Sequence, residues 1–138
     1  MIIKNKIMKK YLLGLVLSSA APILSAQNSF FIQPGAEVTL TGNAAITLQN
    51  MNFINNGTFT AGNGTVNMTG NTTSTIDGTN AINMFNLIIG NTGGVNLDRN
   101  IGVSNQLEMV TGLLNVKNFT VDMGANGTVI TESETARV

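Results

Sequence analysis

The 138-residue chain has no cysteine, no histidine and no tryptophan, and only 10% of its residues carry a charge. Each absence removes a class of chemistry. Without Cys or His there is no Ser-His or Cys-His nucleophile and no zinc site built on thiolate and imidazole. A chain without cysteine cannot be stapled by disulfides or acylated as a lipoprotein, so its fold must rest on hydrogen-bond ladders and apolar packing. The single tyrosine, Tyr11, falls in the N-terminal leader described below, which leaves neither Trp nor Tyr as a platform for sugar stacking. The six phenylalanines fall at positions that read as core.

The basic residues are unevenly spread. Lys4, Lys6, Lys9 and Lys10 form a basic n-region, residues 12–24 an apolar h-region, and Ser25-Ala26 a small-residue cleavage point before Gln27. Residues 1–26 therefore read as a signal peptide. A membrane anchor fits less well, because residues 11–24 include Gly14, Ser18, Ser19 and Pro22 and fall short of the roughly twenty residues a spanning helix needs. Met8-Lys9-Lys10 would itself open an ordinary leader. With the leader removed, three cations (Arg99, Lys117, Arg137) face seven carboxylates, a net charge of −4. Three scattered cations cannot neutralise a phosphate backbone, so nucleic acid is excluded as a partner.

From residue 27 onward the chain holds 19 Asn, 17 Thr and 14 Gly, too many turn formers and weak helix formers for a helical protein. Apolar residues nevertheless recur every few positions and charge is low, the reverse of a disordered composition. Between residues 95 and 121 the recurrence becomes a ladder of period six: Val95, Ile101, Leu107, Leu113 and Phe119, with Leu97, Val103, Met109 and Val121 two places on. Positions six apart lie about 240° apart around an α-helix and share no face. In a strand, positions i and i+2 point the same way. Val95 with Leu97, and Ile101 with Val103, thus read as inward pairs on strands about three residues long, separated by turns. Strands so short suit a coiling chain in which each pairs with the strand one coil away.

The rest of the chain keeps this rhythm. Val38 and Leu40, then Ile46 and Leu48, alternate with polar residues, and Asn-Gly turn signals punctuate the run through Phe53, Phe59, Val66 and Met68. Residues 71–80 read as a loop or lateral excursion anchored by Ile76. Residues 84–89 read as the strongest strand, with Phe85, Leu87 and Ile89 on one side, and Val129 and Ile130 extend the ladder. The expectation is one all-β domain over residues 27–138, a single-domain parallel β-helix or β-solenoid of about five coils of some twenty residues. Its handedness is undetermined by the sequence, with right-handed favoured, and a β-sandwich is the alternative. Val138 falls inside an apparent strand, so the domain is expected to be the N-terminal part of a longer array, its last coil open to another chain.

The phrases Asn55-Asn56-Gly57-Thr58-Phe59-Thr60-Ala61-Gly62-Asn63-Gly64, Phe85-Asn86-Leu87-Ile88-Ile89, Gly94-Val95-Asn96-Leu97 and Thr111-Gly112-Leu113-Leu114-Asn115 resemble the repeat-rich secreted surface proteins of Bacteroidota. The resemblance implies a leader, β-solenoid passenger repeats and, at the far end of such proteins, a sorting domain for type IX secretion. It implies little about activity, because fold does not fix function.

Carboxylates are the remaining candidates for catalysis. Asp98 and Asp122 lie 24 residues apart, near one coil, as in β-helix enzymes that cleave polysaccharides with Asp groups on an exposed sheet. Glu108 and Asp122 each sit between two inward residues and should be ordinary solvent-facing charges. Asp77-Gly78 is a lone turn acid, and residues 93–98 lack the nonapeptide spacing of calcium-binding β-rolls. The triplets Thr39-Leu40-Thr41, Thr58-Phe59-Thr60 and Thr73-Ser74-Thr75 suggest ice-binding rows, but their spacing is irregular and Thr is a good outward strand residue. Asn56-Gly57-Thr58 and Asn126-Gly127-Thr128 match the glycosylation pattern, while stacked Asn amides more simply form ladders between turns.

The reading is a non-enzymatic, secreted structural or adhesin-like solenoid at the cell surface, with no catalytic, cofactor-binding or metal residues and no membrane span after leader cleavage. Its partner classes are a surface glycan, another cell-surface protein, or a second copy through the open last coil. A fragment of a β-helix polysaccharide lyase or hydrolase, and a self-assembling or ice-binding solenoid, are the alternatives.

Overall fold

Short apolar alternations separated by Asn and Gly leave too few residues per strand for hairpins, and the chain solves this by coiling. The computed structural model describes residues 28–138. The leader, residues 1–26, lies outside the described residues. No helix occurs among the described residues. The chain winds through about five coils as a β-solenoid. The first coil holds β1 (Asn28–Ile32), β2 (Glu37–Thr39) and β3 (Ala45–Gln49), and the second β4 (Met51–Asn55), β5 (Thr58–Thr60) and β6 (Thr65–Gly70). The third holds β7 (Ser74–Asp77) and β8 (Asn83–Asn91). The fourth holds β9 (Val95–Leu97) and the start of β10 (Ile101–Asn115), whose end leads into β11 (Val121–Asp122), β12 (Thr128–Ile130) and β13 (Ala136–Arg137).

Every named strand pair is parallel, which rules out the β-sandwich alternative, since sandwiches are built from antiparallel sheets. One stack runs β1-β4-β7-β9 and on to the end of β10. A second runs β3-β6-β8-β10, with β11 and β12 beyond it, and β2-β5 form a short third stack in the first two coils. In the second stack Ile46, Val66, Leu87, Leu107 and Val129 lie in one column, at steps of 20, 21, 20 and 22 residues. In the first stack Phe30, Phe53, Ile76 and Leu97 do the same at steps of 23, 23 and 21. The expected coil of about twenty residues is thus observed. Phe30 and Phe53 meet edge to face at 5.5 Å, and Phe53 and Phe59 at 5.0 Å, a geometry suited to the ring quadrupole.

The ladder between residues 95 and 121 is correct in kind and fails at one position, Leu113; Phe119 and Val121 beyond it pack against the core as expected. Val95, Leu97, Ile101, Val103, Leu107 and Met109 are all buried. Leu113 is exposed and Leu114 takes the inward place, stacked on Val95. Two devices shift the phase at this position: an irregularity that leaves Val110 unpaired between Met109 and Thr111, and a left-handed Gly112 at φ +81°.

Strand length also departs from the expectation. β8 has 9 residues and β10 has 15, because each runs past the corner turned between β5 and β6, and β10 also runs past the one turned between β8 and β9. Residues 71–80 are not a lateral excursion: they contain β7, which pairs with β4 and β9 and buries both Ser74 and Ile76. Phe31 is 46% exposed, so the phenylalanines are not all core residues.

Candidate functional site

The two aspartates proposed as a pair are not brought together in register. One coil spans 19 or 20 residues at this point, so a spacing of 24 overshoots. Asp98 is instead met from the next coil by Lys117 in an ion pair 19 residues on, and Asp122 stacks on Gly102. Both aspartates are exposed, and Glu108 is half-buried on the outer face of β10. Asp77 stands beside Ile54 at the end of β7. Among the described residues no three His, Cys, Asp or Glu side chains cluster closely enough to hold a metal ion.

The threonine triplets do not make a continuous row either. Thr39 pairs with Thr60, while Thr58 faces Glu37. The third triplet lies in a different stack, where Ser74 points inward.

Asparagine, by contrast, holds successive coils together. Asn55 and Asn91 are fully buried. Each uses Oδ1 to accept the amide two residues on, from Gly57 and Gly93 respectively. Each spends Nδ2 on a neighbouring coil, Asn55 on the Ala81 carbonyl and Asn91 on the Thr72 carbonyl, both at 2.8 Å. Asn50 Oδ1 accepts from the Asn71 and Thr72 amides and from Thr72 Oγ1. Asn56 Oδ1 likewise accepts from the Thr79 amide and hydroxyl. These amides satisfy turn groups that would be costly to leave unpaired. The interlocking is chiefly side chain to backbone; between Asn105 and Asn86 it runs amide to amide, at 2.7 Å.

A concave surface arises where the coils differ. Residues 61–64 turn a corner between β5 and β6, and residues 123–127 do so between β11 and β12, whereas β8 and β10 cross the same corner as unbroken strands. The result is a cleft of about 350 Å³. Asn83 and Phe85 of β8, with Gly102 and Ser104 of β10, line its floor, and Gly62 on one side and Asp122 with Gly124 on the other close it. At a strand separation of 4.7–4.9 Å, the three steps from the second coil to the fifth make it about 14 Å wide.

A β-bulge shapes this floor. Met84 pairs with Val103 and Leu87 with Leu107, yet Phe85 and Asn86 face Ser104, Asn105 and Gln106, so β10 carries one extra residue. The mismatch buries Met84 where the sequence reading placed Phe85, and leaves the Phe85 ring half-buried at the cleft. The odd step from Met84 to Leu87, which breaks a period of two, was the signal available for this. A second depression, of about 570 Å³ at another corner, is rimmed by polar groups including Thr73, Asn96, Asn115, Glu134 and Arg137 and has no aromatic lining.

No helix among the described residues is long and apolar enough to cross a membrane. Comparison of the chain with family models, with curated proteins and with solved structures finds no match.

Proposed function

We propose that this protein is a non-enzymatic structural or adhesin-like solenoid, exported by its leader and displayed outside the cell or on its outer surface. The observation that carries the reading is the commitment of side chains to coil stacking. Apolar residues fill continuous columns from Phe30 to Leu97 and from Ile46 to Val129, and the Asn amides are spent on holding turns of adjacent coils. A rod of stacked coils presents its outer faces at fixed spacing, which suits a spacer or a carrier of binding surfaces. The leader sequence and the resemblance to surface proteins of Bacteroidota support the location. Expression of the full chain in a Bacteroidota host, followed by mass spectrometry of the exported product, tests it. Recovery outside the cell with Gln27 as first residue is expected, and retention of the intact leader in the cytoplasm would overturn it. Release of reducing or unsaturated ends from a polysaccharide panel would overturn the non-enzymatic part.

A second reading is favoured by the apolar character of the fifth coil. Val129 is 40% exposed, and a depression of about 450 Å³ is lined there by Val116, Phe119, Val121 and Met123 among others. A coil of a second copy stacked on this surface would repeat the packing found between coils within the chain. Light scattering tests this: mass that rises with concentration, and falls back in Val129→Lys, is the expected outcome, and a monomer at all concentrations removes it.

A further inference from the structure

The cleft over β8 and β10 carries a more specific assignment, which rests on the adhesin-like part of the reading above and names its ligand. We infer that this cleft binds a short segment of a neutral glycan, with one sugar ring laid against Phe85 and its hydroxyls held by Asn83, Ser104 and Asp122.

The chemistry of the lining selects among ligand classes. A volume of about 350 Å³ lies within the range of small-molecule sites, roughly 300–1,000 Å³. Phe85 supplies an apolar ring face, the kind of surface that covers the C–H face of a pyranose. Around it stand an amide with donors and an acceptor, a hydroxyl, and a carboxylate that only accepts at neutral pH. That set matches a ring bearing several hydroxyls, each both donor and acceptor. No Lys or Arg lines the cleft, and the Asp122 carboxylate repels anions, so phosphorylated or uronic-acid ligands are disfavoured. An extended peptide would normally dock by adding a strand to an open edge. The floor offers only three-residue free edges, Asn83–Phe85 of β8 and Val103–Asn105 of β10, because β6 pairs with β8 from Asn86 onward and β11 and β12 pair with β10 at Ile101–Gly102 and Gln106–Glu108.

The cleft is also specifically formed. Its depth comes from two corner turns separated by two strands that do not turn, and its aromatic ring, beside the extra residue of β10, is half-buried, packed against the core while lining the cleft. Gly62 and Gly124 place no side chain across its margins. Asn105 and Asn86, joined amide to amide beside the bulge, fix the strands that carry Phe85 and Ser104.

The test is isothermal titration calorimetry of the full-length mature chain with cellohexaose, laminarihexaose, mannohexaose and chitohexaose, with hexagalacturonate as the anionic comparison. Binding of at least one neutral probe in the micromolar to millimolar range is expected, with none of hexagalacturonate. Phe85→Leu keeps apolar packing while removing the aromatic face, and Asp122→Asn alters an exposed acceptor. Each is expected to weaken the bound probe roughly tenfold, a loss of about 1.4 kcal/mol, with the β-rich circular dichroism spectrum unchanged. Wild-type failure to bind any neutral probe, or undiminished binding by both variants, overturns the assignment. Either result leaves the scaffold reading standing, since export and the absence of polysaccharide cleavage are measured separately.

Discussion

Leu113 and Leu114 are neighbours in the chain and opposites in environment: Leu113 is 46% exposed and Leu114 is 1% exposed, packed in the column above Val95. The outcome is set by the backbone just before them, where Val110 is bulged out and Gly112 is left-handed. Truncating the two should therefore give very different costs. Leu114→Ala is expected to lose about 2–5 kcal/mol, the range for a buried leucine that leaves a cavity, and Leu113→Ser to stay within about 0.5 kcal/mol. Urea denaturation of both variants checks the contrast. Equal losses would mean that the phase of the ladder is as the period of six predicted.

The same pair shows what was legible in the sequence. The parallel coils and the step of about twenty residues follow from apolar pairs at i and i+2 joined by Asn-Gly turns, a pattern no helix can satisfy. Most inward residues were legible for that reason. Three features were not: Leu114 in place of Leu113, Met84 in place of Phe85, and β7 where a loop was expected. The first two depend on an extra residue in one strand relative to its partner a full coil away, which only the pairing register defines. β7 escaped notice because it buries a serine, Ser74, whose hydroxyl is satisfied by Asn91 at 3.1 Å. The cleft was illegible for a related cause, since it depends on which coils turn a corner and which run straight.

Gly112 should be intolerant of any side chain. A Cβ there would lie 1.9 Å from the Asn91 carbonyl oxygen, and the residue has φ +81°. Gly42 is also left-handed, at φ +59°, but has open space where its Cβ would point. Gly42→Ala is then expected to cost about 1 kcal/mol from backbone strain alone, and Gly112→Ala at least about 2 kcal/mol, because the adjoining coil must move as well. Thermal unfolding followed by circular dichroism ranks the two. Similar midpoints would show that the corner at Gly112 yields without cost.

Asn55 tests whether the buried amides are structural. Asn55→Ala removes the partner of the Ala81 carbonyl and of the Gly57 amide. An expected loss of about 1–3 kcal/mol follows from leaving buried polar groups unpaired. Hydrogen exchange supplies the local readout, in which the Gly57 amide should lose protection before amides of β8. Unchanged protection at Gly57 would show that its bond to Asn55 contributes nothing.

The ion pair between Lys117 and Asp98 bridges adjacent coils, but both side chains are about 40% exposed. Water and salt screen such a pair, so a double-mutant cycle with Lys117→Met and Asp98→Asn should give a coupling of about 0.2–1 kcal/mol, vanishing near 1 M salt. A larger coupling that survives high salt would argue that the pair is organised by its surroundings and helps set the register of these coils.

Asn67 offers a way to make the protein more stable. It sits on the outer face of β6, paired with Thr47 in the coil before and Ile88 in the coil after. Its Nδ2 donates to Thr47 Oγ1 at 3.3 Å, but its Oδ1 is sealed from solvent without a hydrogen-bond partner. An orphaned acceptor costs free energy that the single long bond does not recover. Asn is also a poor strand former, whereas Thr is a good one and its hydroxyl can turn to meet Thr47. Asn67→Thr is therefore expected to raise stability by about 0.5–1 kcal/mol in urea denaturation, with the spectrum of the folded state unchanged. Asn67→Val serves as the control: it removes the orphan but also strands the Thr47 hydroxyl, so it should gain less than Asn67→Thr. A loss of stability in both variants would show that the amide at this position is satisfied in solution and contributes to holding the second coil against the first.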